Sequence, residues 1–184
     1  MHILICGGAG YIGSHMAKML VVRGNRVTIF DNLSTGHREA AQWGPLIEGD
    51  LLVPGDIDRA LRAGAYDAVM HFSAKSLVGE SVSHPDRYYL NNVVGTLNLL
   101  NAMVRHRIDK FIFSSSAAVF GNPEYTPIDE QHPTRPINPY GKTKLIVESL
   151  LADYDHAYGL RSVSLRYFNA AGADPDAQIG ESHN

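Results

Sequence analysis

Ile3-Leu4-Ile5-Cys6-Gly7-Gly8-Ala9-Gly10-Tyr11-Ile12-Gly13 is an apolar run that breaks into glycines and resumes as a helical pattern. The spacing predicts a strand over 2–6, a tight turn, and a helix over 11–23. Each glycine has a separate use. Gly7 permits the turn, Gly10 lets the backbone approach a pyrophosphate, and Gly13 lets the helix pack closely. The start of such a helix presents unpaired N–H groups and a partial positive charge, which suits phosphate. Strand, glycine turn and helix together read as a dinucleotide site.

Working outward, short apolar runs at 26–30, 45–48, 67–72, 109–114 and 161–166 read as further strands. Amphipathic stretches at 54–63, 84–106 and 139–158 read as helices. Val69-Met70-His71-Phe72 and Phe111-Ile112-Phe113 lack clean alternation, as strands buried on both faces do. The expected class is α/β, a doubly wound parallel sheet with right-handed crossovers. Five prolines between Pro123 and Pro139 mark a long loop. The expected division is a nucleotide-binding domain over 1–169 and a tail over 170–184 that leads toward a further domain.

With 184 residues, 45% hydrophobic and 19% charged, the chain has the composition of a globular domain. A net charge of −3 without a basic run argues against nucleic acid or an anionic membrane as partner. No apolar stretch reaches membrane-spanning length, and no signal peptide is visible. The single cysteine, Cys6, fits a reducing cytoplasm and reads as a buried thiol rather than a nucleophile. The nine histidines show no metal spacing, so no metal is expected.

Asp31 closes the second strand, 18 residues after Gly13, where an acid would bind the adenosine ribose. A carboxylate there repels a 2′-phosphate and favours NAD over NADP. Asp50-Leu51 ends the third strand as a candidate adenine contact. Farther along, Tyr140 and Lys144 stand four residues apart and share one helix face. An ammonium there would stabilise a phenolate and lower the phenol's pKa. A phenolate in that place could act as general base on a substrate hydroxyl. Ser116 closes the run Ser114-Ser115-Ser116 at the end of the fifth strand, where ligands sit in open α/β sheets.

With these residues stand GGAGYIGSH (7–15), DNLSTG (31–36), HFSAKSLVGESV (71–82), NNVVGTLNLLNAM (91–103), FIFSSSAAVFG (111–121), NPYGKTK (138–144) and LRYFNAAGADP (165–175). On these stretches the chain resembles the extended short-chain dehydrogenase/reductases, and within them the UDP-sugar 4-epimerases. The resemblance implies an NAD(P)-binding Rossmann fold, NAD as cofactor and a UDP-sugar as substrate. The implied activity is interconversion of UDP-glucose and UDP-galactose. Tyr140 would take the proton of the sugar 4-hydroxyl, and hydride would pass from C4 to NAD⁺ and return to the other face of the rotated keto sugar. Ser116 would bond the 4-oxygen, and Lys144 the ribose and Tyr140. The resemblance also implies cofactor contacts at Tyr11, Ile12, Asp31, Asn32, Leu33, Ser34, Thr35, Gly36, Asp50, Leu51, Phe72, Ser73, Ala74, Lys75, Ser76, Asn91 and Phe168. Asn169 would reach the UDP diphosphate. Two departures stand out: Lys75 falls one position before the lysine of some members, and Phe120 replaces a tyrosine common among relatives.

Nucleotide-sugar 4,6-dehydratases of the same superfamily carry an Asp-Glu pair after the strand-end hydroxyl residue. Here those positions are Ala117 and Ala118, which argues against dehydration. Epimerisation of an N-acetylated sugar, and a non-catalytic NAD-binding module, stay open as alternatives. Members of the family are longer and close a second domain over the sugar, so apolar side chains near Tyr167 and Phe168 are expected at the surface. They also dimerise through paired helices, which here correspond to 84–106 and 139–158. Leu90, Val94, Leu97 and Val104 follow helical spacing that suits core and interface alike.

Overall fold

A computed structural model describes residues 1–182. Six strands, β1 (His2–Cys6), β2 (Arg26–Asp31), β3 (Leu46–Glu48), β4 (Ala68–His71), β5 (Lys110–Ser114) and β6 (Arg161–Leu165), form one sheet. Every neighbouring pair is parallel, and the spatial order is β3-β2-β1-β4-β5-β6. That is the Rossmann order, with its switch point between β1 and β4. All six expected strands are present, with ends shifted by a residue in places.

Alternation along β1 separates two cores. Leu4 and Cys6 join Phe30, Val69, Phe111 and Phe113 on one face. There the sheet is covered by α2 (Pro54–Arg62), α5 (Gly95–Arg105) and α6 (Pro139–Tyr158). Ile3 and Ile5 join Val27, Ile29 and Met70 on the other, under α1 (Tyr11–Val22). Cys6 is fully buried and free, and burial pushes its thiol pKa up, so the structural reading of that residue stands.

The helix expected over 84–106 is three pieces. α4 (Pro85–Tyr88) runs through a π-helical turn at Tyr89–Val94 into α5. The π turn carries Asn91 and Asn92, whose short amides compete with regular helix hydrogen bonds. A short helix before it, α3 (Val78–Ser83), has no counterpart in the sequence reading. Of the four apolar side chains at helical spacing, Leu97 and Val104 pack on the core, whereas Leu90 and Val94 are exposed.

α6 follows the expected bounds and shows why. Asn138 caps it by accepting the Gly141 N–H at 2.8 Å, Pro139 opens its first turn, and Gly159 ends it at φ 69°. β6 is the edge strand, and its outward residues Val163 and Leu165 are exposed. Phe168, just beyond it, is 74% exposed, in line with the expectation for that region. Part of the tail folds back onto α1: Lys18 pairs with Asp174 and Asp176 at 2.7 Å, and the Tyr11 hydroxyl donates to the Gly172 carbonyl. No helix among the described residues is long and apolar enough to cross a membrane.

Candidate active site

The glycine turn is shaped by close approach. Gly7 has φ +80°, and a Cβ on it would lie 2.5 Å from the Ser73 nitrogen. A Cβ on Gly13 would lie 2.1 Å from the Gly7 carbonyl oxygen, so the first turn of α1 rests on the glycine turn itself. Beside Gly10 there is room, with the Gly7 oxygen 3.5 Å from a Cβ. Gly10 is the N-cap of α1, no side chain caps the helix, and no acidic residue lies in its first turn. Its leading N–H groups are therefore open to an anion.

One groove opens above this turn at the carboxyl ends of β1, β2 and β4. Gly7, Gly10, Asp31, Asn32, Ser34, Thr35, Gly36, Asp50, Leu51, Phe72, Ser73, Ala74, Lys75 and Asn91 line it, along with Phe30 and Gly49, which the sequence reading did not name. Asp31 is buried, and its carboxylate accepts the N–H groups of Ala9 and Leu33, both at 2.9 Å. Those bonds fix the wall of the groove. Asp50 is held by the Asn32 amide at 2.9 Å. Tyr11, Ile12 and Gly13 begin α1 at the groove's edge, and Leu33 sits within the Asp31–Gly36 loop with φ 56°. Ser76, Phe168 and Asn169 are exposed and line no part of it.

Ser116, Tyr140 and Lys144 gather beside the groove, at the end of β5 and the start of α6. Ser116 stands near enough to Tyr140 to favour its phenolate, and its Oγ accepts the Ala118 N–H at 3.1 Å, starting a short 3₁₀ turn at Ala117–Val119. Lys144 is buried and donates to the Ser114 carbonyl at 2.7 Å. Its Nζ lies 4.8 Å from the Phe113 ring centre and 5.7 Å from that of Tyr140. Burial pulls the Lys144 pKa down to about 7. The Tyr140 pKa is raised by burial, and Ser116 only offsets this. The expected lowering of the phenol by Lys144 is thus not found. Desolvation disfavours both charged forms at once.

Asn92 joins the two halves of the site, and the sequence reading passed over it. Buried in the π turn, it accepts the Lys75 N–H at 2.9 Å and donates to the Lys75 carbonyl at 3.0 Å and to Thr143 Oγ1 at 3.2 Å. Thr143 in turn donates to the Tyr140 carbonyl. The available signal was an asparagine pair inside a helical pattern, where asparagine is a poor choice.

His71 ends β4 beneath the same site. Thr96 Oγ1 donates to the Asn92 carbonyl, so His71 Nε2–H donates to Thr96, and Nδ1 has no partner. Burial first and Lys144 second pull the His71 pKa down from 6.5 to about 3. The unfolded chain therefore binds a proton that the folded one refuses between those values. Stability is lost as pH falls through that window, at about 1.4 kcal/mol per pH unit. Urea denaturation should show about 2 kcal/mol less stability at pH 5 than at pH 7 from this group. A His71→Gln variant should lose that part of the slope; an unchanged slope would refute the assignment.

The family model described as Epimerase, the NAD dependent epimerase/dehydratase family, matches residues 3–183. The chain belongs to that family. It is 52% identical over 181 residues to a UDP-glucose 4-epimerase of Rhizobium leguminosarum bv. trifolii, covering 98% of this chain and 55% of the relative. The crystal structure of UDP-glucose 4-epimerase from Brucella ovis in complex with NAD matches with a TM-score of 0.97 and 52% identity. That match covers 99% of this chain and 56% of the other. The UDP-Glc/GlcNAc 4-epimerase of Campylobacter jejuni matches at TM-score 0.88 and 38% identity, over 100% and 58% of the two chains. The chain thus spans about half the length of the relatives it matches, and the epimerase/dehydratase family supplies its Rossmann fold throughout.

Proposed function

We propose that this chain carries the NAD-binding and proton-transfer elements of a UDP-glucose 4-epimerase, with residues 1–169 as the nucleotide-binding domain. The carrying observation is the convergence of Ser116, Tyr140 and Lys144 beside a groove whose floor is an uncapped helix start. The residues present fit a dinucleotide. The opening beside Gly10 and the bare first turn of α1 suit a pyrophosphate, and Asp31 suits a ribose.

NAD, when bound, supplies hydride acceptance and return at the sugar C4. The chain's own residues handle the proton and the alignment. Tyr140 is the base for the sugar 4-hydroxyl, and Ser116 orients that oxygen and the phenol. Lys144 stabilises the phenolate as it forms and bonds the nicotinamide ribose. Tyr11, Ile12, Leu33, Ser76 and Phe168 are proposed as further cofactor contacts and Asn169 as a diphosphate contact. Ala117 and Ala118 offer no acid–base pair for dehydration, which supports epimerisation within the family. UDP-glucose and UDP-galactose are the proposed pair, since the relatives at about half identity bear that name. A cytoplasmic setting belongs to the same proposal, supported by the single free Cys6.

The test incubates the purified chain with UDP-galactose, with and without added NAD⁺, and quantifies UDP-glucose by chromatography. Conversion supports the proposal. NAD binding without conversion would support the reading as a cofactor-binding module. Conversion of UDP-N-acetylgalactosamine alone would move the specificity to the N-acetylated sugar. A homodimer through helices 84–106 and 139–158 is also proposed, supported by exposed Leu90, Val94 and Ile146. Sedimentation should give twice the monomer mass, and a monomer at high concentration would refute it.

A further inference from the structure

Behind Lys144 lies a cluster that the proposed chemistry does not use. Glu148 stands one helical turn along α6, with its side chain 10% exposed. Arg166, just past β6, forks onto it, with Nε at 3.1 Å and 3.2 Å from the two carboxylate oxygens and a terminal nitrogen at 2.6 Å. Ser115, the neighbour of Ser116, donates to the same carboxylate. The Arg166 guanidinium in turn lies 5.2 Å from the Phe120 ring centre. One carboxylate thus ties together α6, the end of β5 and the end of β6.

We propose that Glu148 is a positioning residue: clamped by Ser115 and Arg166, it holds a negative charge against the buried Lys144 ammonium and keeps that group charged for its work at Tyr140 and the cofactor. The role rests on the reading of Lys144 given above. The surroundings of Lys144 leave few alternatives. From β4 it faces His71, which is neutral. From β5 it faces the Phe113 ring and the Ser114 carbonyl. Tyr140 on α6 and Tyr167 after β6 are phenols whose pKa values burial raises, so neither offers an anion near neutral pH. Burial alone pulls Lys144 toward neutrality, and the charge that opposes it is that of Glu148. Glu130 acts on Arg166 and not on Lys144.

The Lys144 titration midpoint, read by NMR of protein labelled with ¹³C at the lysine side-chain ends, tests this without cofactor or sugar. Lys144→Met assigns the signal. In Glu148→Gln the midpoint should fall by about one pH unit, whereas Glu148→Asp should stay near the native value. A general loosening of the site would expose Lys144 and move it the other way, toward the ordinary lysine value. An unchanged or raised midpoint in folded Glu148→Gln would overturn the proposal. If that variant does not fold because Arg166 is left unpaired, the double change Glu148→Met and Arg166→Met removes both charges. The midpoint there should lie below that of Arg166→Met alone, which keeps the carboxylate, and an equal or higher value would count equally against the role. The conversion assay above fails or succeeds independently of this readout.

Discussion

Replacing Tyr140 by phenylalanine is expected to reduce conversion of UDP-galactose by about 10²- to 10⁴-fold, the usual worth of a positioned acid–base group. The ring stays on α6 between its present neighbours, and only the hydroxyl near Ser116 is lost. Stability should change by no more than about 1 kcal/mol, the worth of one neutral hydrogen bond. The near-ultraviolet absorbance of reduced nicotinamide on adding UDP-galactose reports the first half of the turnover. A thermal melt reports the fold. Activity within a few-fold of native, in a variant that melts normally, would remove Tyr140 from the chemistry. The raised phenol pKa makes a further point. Burial keeps the Tyr140 phenol protonated near neutral pH, so the proposed role as base requires the charge of Lys144 to support its ionisation.

Gly13→Ala should damage the fold itself. The added Cβ would lie 2.1 Å from the Gly7 carbonyl oxygen and 2.9 Å from Gly8 Cα. Both are backbone atoms in a turn already pressed against Ser73, so neither can swing aside. Overpacking of this kind costs about 3 kcal/mol, or roughly 6–12 °C in melting temperature for a chain of this size. NAD binding, followed by calorimetry, should weaken at least about tenfold as the first turn of α1 is displaced. Gly10→Ala is the matched control. Its Cβ meets only ordinary contact, at 3.5 Å, so the melt should stay close to native while phosphate approach is hindered. Equal melting losses for the two variants would mean that packing at Gly13 is not what holds the turn.

Periodicity and glycine spacing made the sheet legible from sequence. Strands such as Leu4-Ile5-Cys6 and Phe111-Ile112-Phe113 are apolar on both faces because helices cover both faces. α6 was legible to the residue because its cap, proline and terminal glycine are local signals. The stretch 84–106 was not, since a π turn keeps helical dihedrals and an apolar pattern while shifting the hydrogen-bond register. At the site, residues marked by glycine, aspartate or the Tyr140–Lys144 spacing were legible. Glu148 and Arg166 are held by partners distant in sequence, so no local pattern names them, and Asn92 showed only as half of an asparagine pair inside a helical pattern. The state of charge was also out of reach. Spacing places Lys144 near Tyr140, but burial decides what each group's pKa becomes.

The amide of Asn92 leaves no room for substitution. Its oxygen takes N–H groups from Lys75 and Asn91, and its nitrogen gives both hydrogens, one to Lys75 and one to Thr143. All four capacities of the group are spoken for. Aspartate would turn an oxygen toward the Lys75 carbonyl, leucine would fill the space and leave three backbone and hydroxyl groups unanswered, and glutamine would carry the right atoms one carbon too far. Of the twenty side chains, this position has a vocabulary of one.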